Sequence, residues 1–233
     1  MQNKKLMTFA ESINSALKTT MTKNKKVLLI GLGVDDPKKI FGTTKNLTDK
    51  SLKNRIFDMP TAENSMMGIG IGLAIQGFRP IISHQRVEFS LLAMEQIINQ
   101  AAKWRYMFAG KMRVPLVLRL IIGKGWGQGP QHSQSLESIF AHVPGLKVVS
   151  PSNPYDAKGL LISSIEDNNP VIFFEHRWLH QIKNYVPKKY YKVPLGKAKI
   201  LLKGKDLTIV SNSIMSYEAL SLKNIFYGSK IFP

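Results

Sequence analysis

No cysteine occurs in the 233 residues of this chain. That excludes disulfides, thiolate metal sites and a cysteine nucleophile, and it fits a cytoplasmic protein. Long apolar runs are also missing. The best candidate, Val114 to Ile122, falls short of the roughly 18 residues a membrane helix needs, and Arg119 interrupts it. The N-terminus, MQNKKLMTFAESIN, has basic residues but no apolar stretch, so no signal peptide is read there. Acidic residues are scarce: 15 Asp and Glu stand against 33 Lys and Arg, a formal charge of +18. Such a balance can serve nucleic acid or an anionic surface. The lysines are scattered, however, and no nucleic-acid motif accompanies them. The expectation is therefore no nucleic acid and no membrane, with an acidic partner subunit as the better use of the charge.

The hydrophobic fraction of 44% is enough for a sizeable core. Phe9, Ile13 and Leu17 stand at helical spacing and predict an amphipathic helix from Thr8 to about Thr20. Lys26 to Ile30 reads as a short buried strand. Residues 32 to 54 are polar and glycine-containing, a long loop of the kind usually tied to function. A strand at Arg55 to Phe57, a helix from about Ser65 to Gln76 and a strand at Pro80 to Ser83 follow. Phe89 to Met107 predicts the longest helix, with Phe89, Leu92, Ala93, Gln96, Ile97 and Ala101 on one face. A buried strand, Val114 to Ile121, leads into a glycine-rich loop from Gly123 to Ser133. A strand at Leu146 to Val149, a helix at Tyr155 to Asp167 and a strand at Val171 to Phe174 complete the pattern. Alternating strands and helices imply an α/β domain, a mostly parallel sheet flanked by helices, over residues 1 to 180. Residues 181 to 205 are basic, aromatic and irregular and read as a linker. Leu207 to Val210 then predicts a new strand and Tyr217 to Leu222 a helix.

Four features draw attention within that frame. Gly31-Leu-Gly-Val-Asp-Asp resembles the opening of a dinucleotide fingerprint, but the third glycine is missing and a loop follows in place of a helix. Glycines 68, 70 and 72 lie inside a predicted helix, where each costs about 1 kcal/mol relative to alanine. A close approach must offset that, either within one subunit or between two. Glu63, just before that helix, has an ordinary reading as a carboxylate favoured by the helix dipole. His132 ends the glycine-rich loop after a buried strand, and open α/β sheets bind ligands at the C-terminal ends of their strands.

Several segments together resemble one known family. Met59-Pro-Thr-Ala-Glu-Asn with the following Gly-Ile-Gly-Ile-Gly-Leu-Ala is similar to the segment around the glutamate that activates thiamine diphosphate. Glu88-Phe-Ser-Leu-Leu-Ala-Met-Glu-Gln-Ile-Ile-Asn-Gln-Ala-Ala-Lys is similar to the family's long helix. Gln131-His-Ser-Gln, Pro144-Gly-Leu-Lys-Val-Val-Ser-Pro and Asp167-Asn-Asn-Pro-Val continue the match in order, over about residues 7 to 180. The family is the β subunit of thiamine-diphosphate-dependent 2-oxo acid dehydrogenases of the pyruvate and branched-chain type, with a transketolase-like pyrimidine-binding fold.

The resemblance implies an oxidoreductase subunit that binds the aminopyrimidine of thiamine diphosphate and activates it for oxidative decarboxylation of a 2-oxo acid. Glu63 matches the glutamate that hydrogen-bonds N1′ and favours the imino tautomer, a role that requires sharing a proton near neutral pH. Phe89 matches the aromatic residue on the pyrimidine ring, and Gln85 a polar pocket residue. His132 matches the site histidine that handles protons. A potassium site would fall at Leu116, Ser164, Ile165, Asp167 and Asn169. Mg²⁺ would be held mainly by a partner, because the Gly-Asp-Gly…Asn diphosphate pattern is absent from this sequence. An α subunit in an α₂β₂ assembly and a lipoyl-bearing acyltransferase are the implied partners. Transketolase-type carbon–carbon transfer and an inactive interaction subunit are the alternatives. The chain departs from the family in three places. Gly31-Leu32-Gly33 stands where members carry acidic residues, and His84-Gln-Arg-Val-Glu replaces an aromatic-rich segment. Residues 206 to 233 resemble only the start of the family's C-terminal domain, so that domain is expected to be cut short.

Overall fold

The computed structural model describes residues 4–35, 39–47, 50–124 and 127–228. Among the described residues, eight strands and seven α-helices follow one another as β1 (Lys4–Thr8), α1 (Phe9–Lys23), β2 (Val27–Gly31), α2 (Lys50–Lys53), β3 (Ile56–Asp58), α3 (Glu63–Ile75), β4 (Arg79–His84), α4 (Trp104–Met107), β5 (Val117–Ile122), α5 (Glu137–Ala141), β6 (Lys147–Val149), α6 (Pro154–Glu166), β7 (Val171–His176), β8 (Lys183–Pro187) and α7 (Ser213–Gly228). Six strands form one sheet in the order β3-β2-β4-β5-β7-β6, every pairing parallel. This is the expected mostly parallel sheet flanked by helices.

Strand alternation divides the core in two. Leu29, Ile81, Val117, Ile121, Val171 and Phe173 face a layer made by α1 and α6, with Phe9, Ile13, Leu17, Leu161 and Ile165 buried against them. Their neighbours Leu28, Ile30, Ile82, Leu118, Leu120 and Ile172 face α3 and the segment from Val87 to Ala101. A sheet covered on both faces needs near-continuous apolar strands, which β2, β5 and β7 supply. Helix α1 begins at a capping box: the Thr8 hydroxyl accepts from the Glu11 N–H at 3.1 Å and the Glu11 carboxylate from the Thr8 N–H at 2.7 Å.

Three elements differ from expectation. The stretch from Phe89 to Met107 is not one helix. It is a tight 3-10 segment (Val87–Ala93), a π-helix (Gln96–Ala101) and the short α4. Ala93, Ile97 and Ala101 still face the core, but Leu92 is two-thirds exposed, because the changed winding rotates it off the predicted face. Residues 183–187 form β8, antiparallel to β1, a pairing between chain segments too distant for local pattern to reveal. Beyond it, the buried Lys158 ammonium donates to the carbonyls of Pro187, Lys188 and Lys189, and the Tyr191 hydroxyl to the Tyr155 carbonyl, so this stretch is laid onto α6. Residues 207–210 form no strand and are exposed.

The C-terminal edge of the sheet is tied together by buried charge. Arg119 on β5 makes a bidentate pair with Glu175 on β7 at 2.6 and 3.0 Å. Its remaining donors reach the hydroxyls of Ser83 on β4, at 3.2 Å, and Thr43 in the first loop, at 3.0 Å. Four of the five guanidinium N–H groups are used, as a buried ion pair requires. His180 lies 3.7 Å from the Glu175 carboxylate, yet burial and the nearby Arg177 and Arg119 push it down to about 3, so it is neutral and the contact is not an ion pair.

The glycines of α3 separate into two kinds. A Cβ on Gly70 would lie 2.8 Å from Ile82 Cδ1 and 3.1 Å from Leu116 Cδ1, whereas one on Gly72 would meet nothing within 4 Å. Gly70 is there because the helix lies close on the sheet. Gly70→Ala should lower stability by about 1–3 kcal/mol through overpacking. Gly72→Ala should raise that of the isolated chain by up to about 1 kcal/mol through helix propensity. Chemical denaturation of the two variants checks this; equal effects would contradict the assigned faces.

The buried histidines add a pH dependence. Burial pushes His84 down to about 4 and helps push His180 to about 3, against 6.5 for a free side chain. The unfolded chain therefore binds protons first as pH falls. Stability is full above pH 6.5 and is lost as pH drops toward the folded values, by on the order of 1 kcal/mol per pH unit per group. Urea midpoints from about pH 7.5 to about pH 4.5 should fall, and His84→Phe should fall less steeply. Identical slopes would show that His84 does not contribute.

Candidate functional site

Because every strand of the six-stranded sheet is parallel, Gly31, Asp58, His84, Ile122 and His176 end β2, β3, β4, β5 and β7 on one edge. The loops that follow carry the predicted site residues. Gly31 can be nothing larger, since a Cβ there would sit 2.5 Å from the Ser83 carbonyl oxygen. The first loop is pinned beside it: the Asp58 carboxylate accepts from the Gly33 N–H at 2.7 Å, and the Gln85 amide donates to the Leu32 carbonyl at 3.2 Å.

Glu63 opens α3, in the turn where the helix dipole favours a carboxylate. It is buried, at 5% exposure, yet among the described residues nothing donates a hydrogen bond to its carboxylate or pairs with its charge. Its carboxylate oxygens are not sealed off: they reach solvent at the sheet edge, open to a donor from outside the chain. The residue was expected from sequence; its lack of a partner was not.

Phe89 and His132 are brought together. Their rings meet edge to face with centroids 5.4 Å apart, and the His132 Nδ1 lies 2.9 Å from the Gln131 carbonyl oxygen. Both are half-buried. No hydrogen bond or ion pair links Glu63 or Gln85 to either of them. A cavity of about 440 Å³ does open nearby, between the 123–135 loop and the start of α7, lined by Gly123, Ser133, Glu137, His176, Trp178 and Asn212. Glu63, Gln85, Phe89 and His132 are not in its lining.

Sequence reading missed the polar layer beneath these groups. Arg86 and Glu88 are buried and lie 3.7 Å apart, an ion pair without a hydrogen bond. The Glu88 carboxylate accepts the Gln134 N–H at 2.7 Å, and Arg86 donates to the Gly123 carbonyl at 3.1 Å. His84 is buried with both ring nitrogens unpartnered. Burial and the charge of Arg86 push His176 down to about 4, so it is neutral, and its Nδ1 accepts the Trp178 N–H at 3.2 Å. The signal was present in charged residues placed inside or beside apolar strands, as at Arg119, Glu175 and Arg86.

The five positions expected to hold potassium gather where α6 leads into β7. The carbonyls of Ile165 and Asp167 already accept from the Arg79 guanidinium at 2.9 and 2.8 Å, and the Leu116 carbonyl accepts the Val171 N–H at 2.9 Å. Lys147 sits 2.5 Å from the Asp167 carboxylate. The Ser164 carbonyl accepts the Asp167 N–H at 3.3 Å, and the Asn169 side chain bonds to Asp167 and Arg105. Among the described residues, no group of three or more acidic or imidazole side chains could hold a metal ion.

The β subunit of acetoin:2,6-dichlorophenolindophenol oxidoreductase from Cupriavidus necator is 43% identical over 219 residues, which are 90% of this chain and 64% of that protein. The pyruvate dehydrogenase E1 component subunit β of Porphyra purpurea is 44% identical over 215 residues, 91% of this chain and 65% of the relative. The chain thus spans just under two thirds of the length of these relatives. Among solved structures, a split-gene transketolase in an inactive β₄ tetramer superposes with a TM-score of 0.75 at 22% identity, covering 96% of this chain and 68% of that one, a likeness of fold. Residues 5–182 match the family model of the transketolase pyrimidine-binding domain, and the chain belongs to that family.

Proposed function

We propose that the chain is the pyrimidine-binding β subunit of a thiamine-diphosphate-dependent 2-oxo acid dehydrogenase, and that its site works only when a diphosphate-binding α subunit completes it. The observation that carries this reading is Glu63, 5% exposed at the strand-end edge of a pyrimidine-binding fold, whose carboxylate has no hydrogen-bond partner among the described residues. When bound, thiamine diphosphate supplies a carbon nucleophile that attacks a 2-oxo acid and accepts electrons from its decarboxylation. Glu63 fits the pyrimidine N1′, whose hydrogen bond would satisfy it. Phe89 offers a ring face or edge to the same heterocycle. His132, half-exposed beside Phe89, can give or take a proton on the substrate side. Gln85 spends an amide hydrogen on Leu32 and keeps its carbonyl for a polar neighbour.

The relatives bear names that include acetoin and pyruvate chemistry, both built on small oxygenated carbon skeletons. A 2-oxo acid as substrate and a lipoyl-bearing carrier as acyl acceptor extend the proposal to the whole assembly. The chain's charge of +18 suits an acidic partner. The uncovered side of α3, with Gly72 facing open space and Ile69 exposed, together with the exposed Leu91 and Leu92, offers apolar surface for the partner to bury. Diphosphate and Mg²⁺ ligands would come from that partner.

The test is calorimetry followed by a rate assay. The lone chain should bind thiamine diphosphate with Mg²⁺ weakly or not at all, and the co-expressed α–β complex should bind it tightly and decarboxylate a 2-oxo acid. Tight Mg²⁺-dependent binding to the lone chain would overturn the shared-site reading.

A further inference from the structure

The glycine-rich loop that carries His132 leaves β5 at Gly123 and is closed again at Gln134. The neck is made by the Gly123 N–H, which donates to the Gln134 carbonyl at 3.2 Å. Both sides of that neck are gripped by side chains from one short segment. Glu88 takes the Gln134 N–H at 2.7 Å, and Arg86 donates to the Gly123 carbonyl at 3.1 Å. Gly123 is held from beneath as well: it has φ +110°, and a Cβ there would lie 2.6 Å from His176 Nε2, so the imidazole fills the space a side chain would need. Arg86 is 3% and Glu88 9% exposed, so water competes little for these bonds. The residue after Glu88 is Phe89, whose ring meets His132. One segment therefore fixes both the neck of the loop and the surface against which its histidine rests.

We propose that Arg86 and Glu88 are positioning residues that clamp the neck of the 123–134 loop and so set where His132 stands. The clamp rests on the proposed function only for its effect on turnover; its effect on the loop is independent of any substrate. Acceptor placement is what matters at Glu88, more than its charge, because the carboxylate bonds a backbone N–H and its ion pair with Arg86 is long.

Two variants separate these terms. Glu88→Asp keeps the charge but withdraws the acceptor by about one methylene, and Glu88→Gln keeps the acceptor and removes the charge. Hydrogen exchange in the chain should show the Gln134 and Gly123 amides exchanging about 10- to 100-fold faster in Glu88→Asp. The amides of β2 and α6 should stay protected. Glu88→Gln should remain close to wild type. In the α–β complex, with pyruvate or another 2-oxo acid it turns over, Glu88→Asp should lower kcat about 10- to 100-fold with KM little changed. Wild-type exchange at Gln134 in Glu88→Asp, or a kcat unchanged in that variant, overturns the clamp. A complex that turns over no 2-oxo acid overturns the proposed function instead, and the exchange comparison still decides the clamp.

Discussion

The bidentate pair between Arg119 and Glu175 is the constraint on which the site edge depends. It joins two central strands at their C-terminal ends and, through Ser83 and Thr43, reaches a third strand and the first loop. Removing one partner of a buried pair leaves an uncompensated charge, which typically costs about 3–5 kcal/mol. An apolar replacement could be as stable, but it would not reach the two hydroxyls. The pair's contribution is thus to geometry: it holds β4, β5, β7 and the first loop in one register where the functional loops depart.

Around that edge the chain keeps polar groups buried at three levels of satisfaction. Arg119 and Glu175 satisfy each other. Arg86 and Glu88 satisfy loop backbone and pair only loosely. Glu63 finds no partner among the described residues. The edge thus passes from scaffold through loop support to an unengaged carboxylate. Histidines follow the same gradient: His84 and His180 are buried and held neutral, while His132 stands half-buried beside Phe89. Of these three, His132 alone is open to solvent.

Much of this was legible in the sequence because strand alternation and helical spacing are local. The β2, β5 and β7 strands and the α1, α3 and α6 helices appear where apolar pattern put them, within a few residues. Glycines 68, 70 and 72 signalled close packing, but only the structure separates Gly70, pressed on the sheet, from Gly72, facing outward. The break of the Phe89–Met107 stretch into 3-10 and π winding left no trace in a pattern with a near-helical period, and it moved Leu92 outward. Pairing of β1 with β8 joins residues almost the whole domain apart, which no window can see. The Arg86–Glu88 grip on the loop neck is equally non-local, since its partners are backbone groups some 37 to 46 positions away.

The central claim is that Glu63 activates a bound cofactor from a site this chain only half builds. Deuterium exchange at C2 of thiamine diphosphate, measured in the α–β complex, tests it without reference to substrate. Glu63→Gln keeps the side chain's shape but cannot hold the proton relay at N1′ in the same way. The account predicts that the variant complex assembles and binds cofactor while exchange at C2 slows by about 100-fold or more. Exchange at the wild-type rate would contradict it and leave Glu63 as a helix-start carboxylate alone.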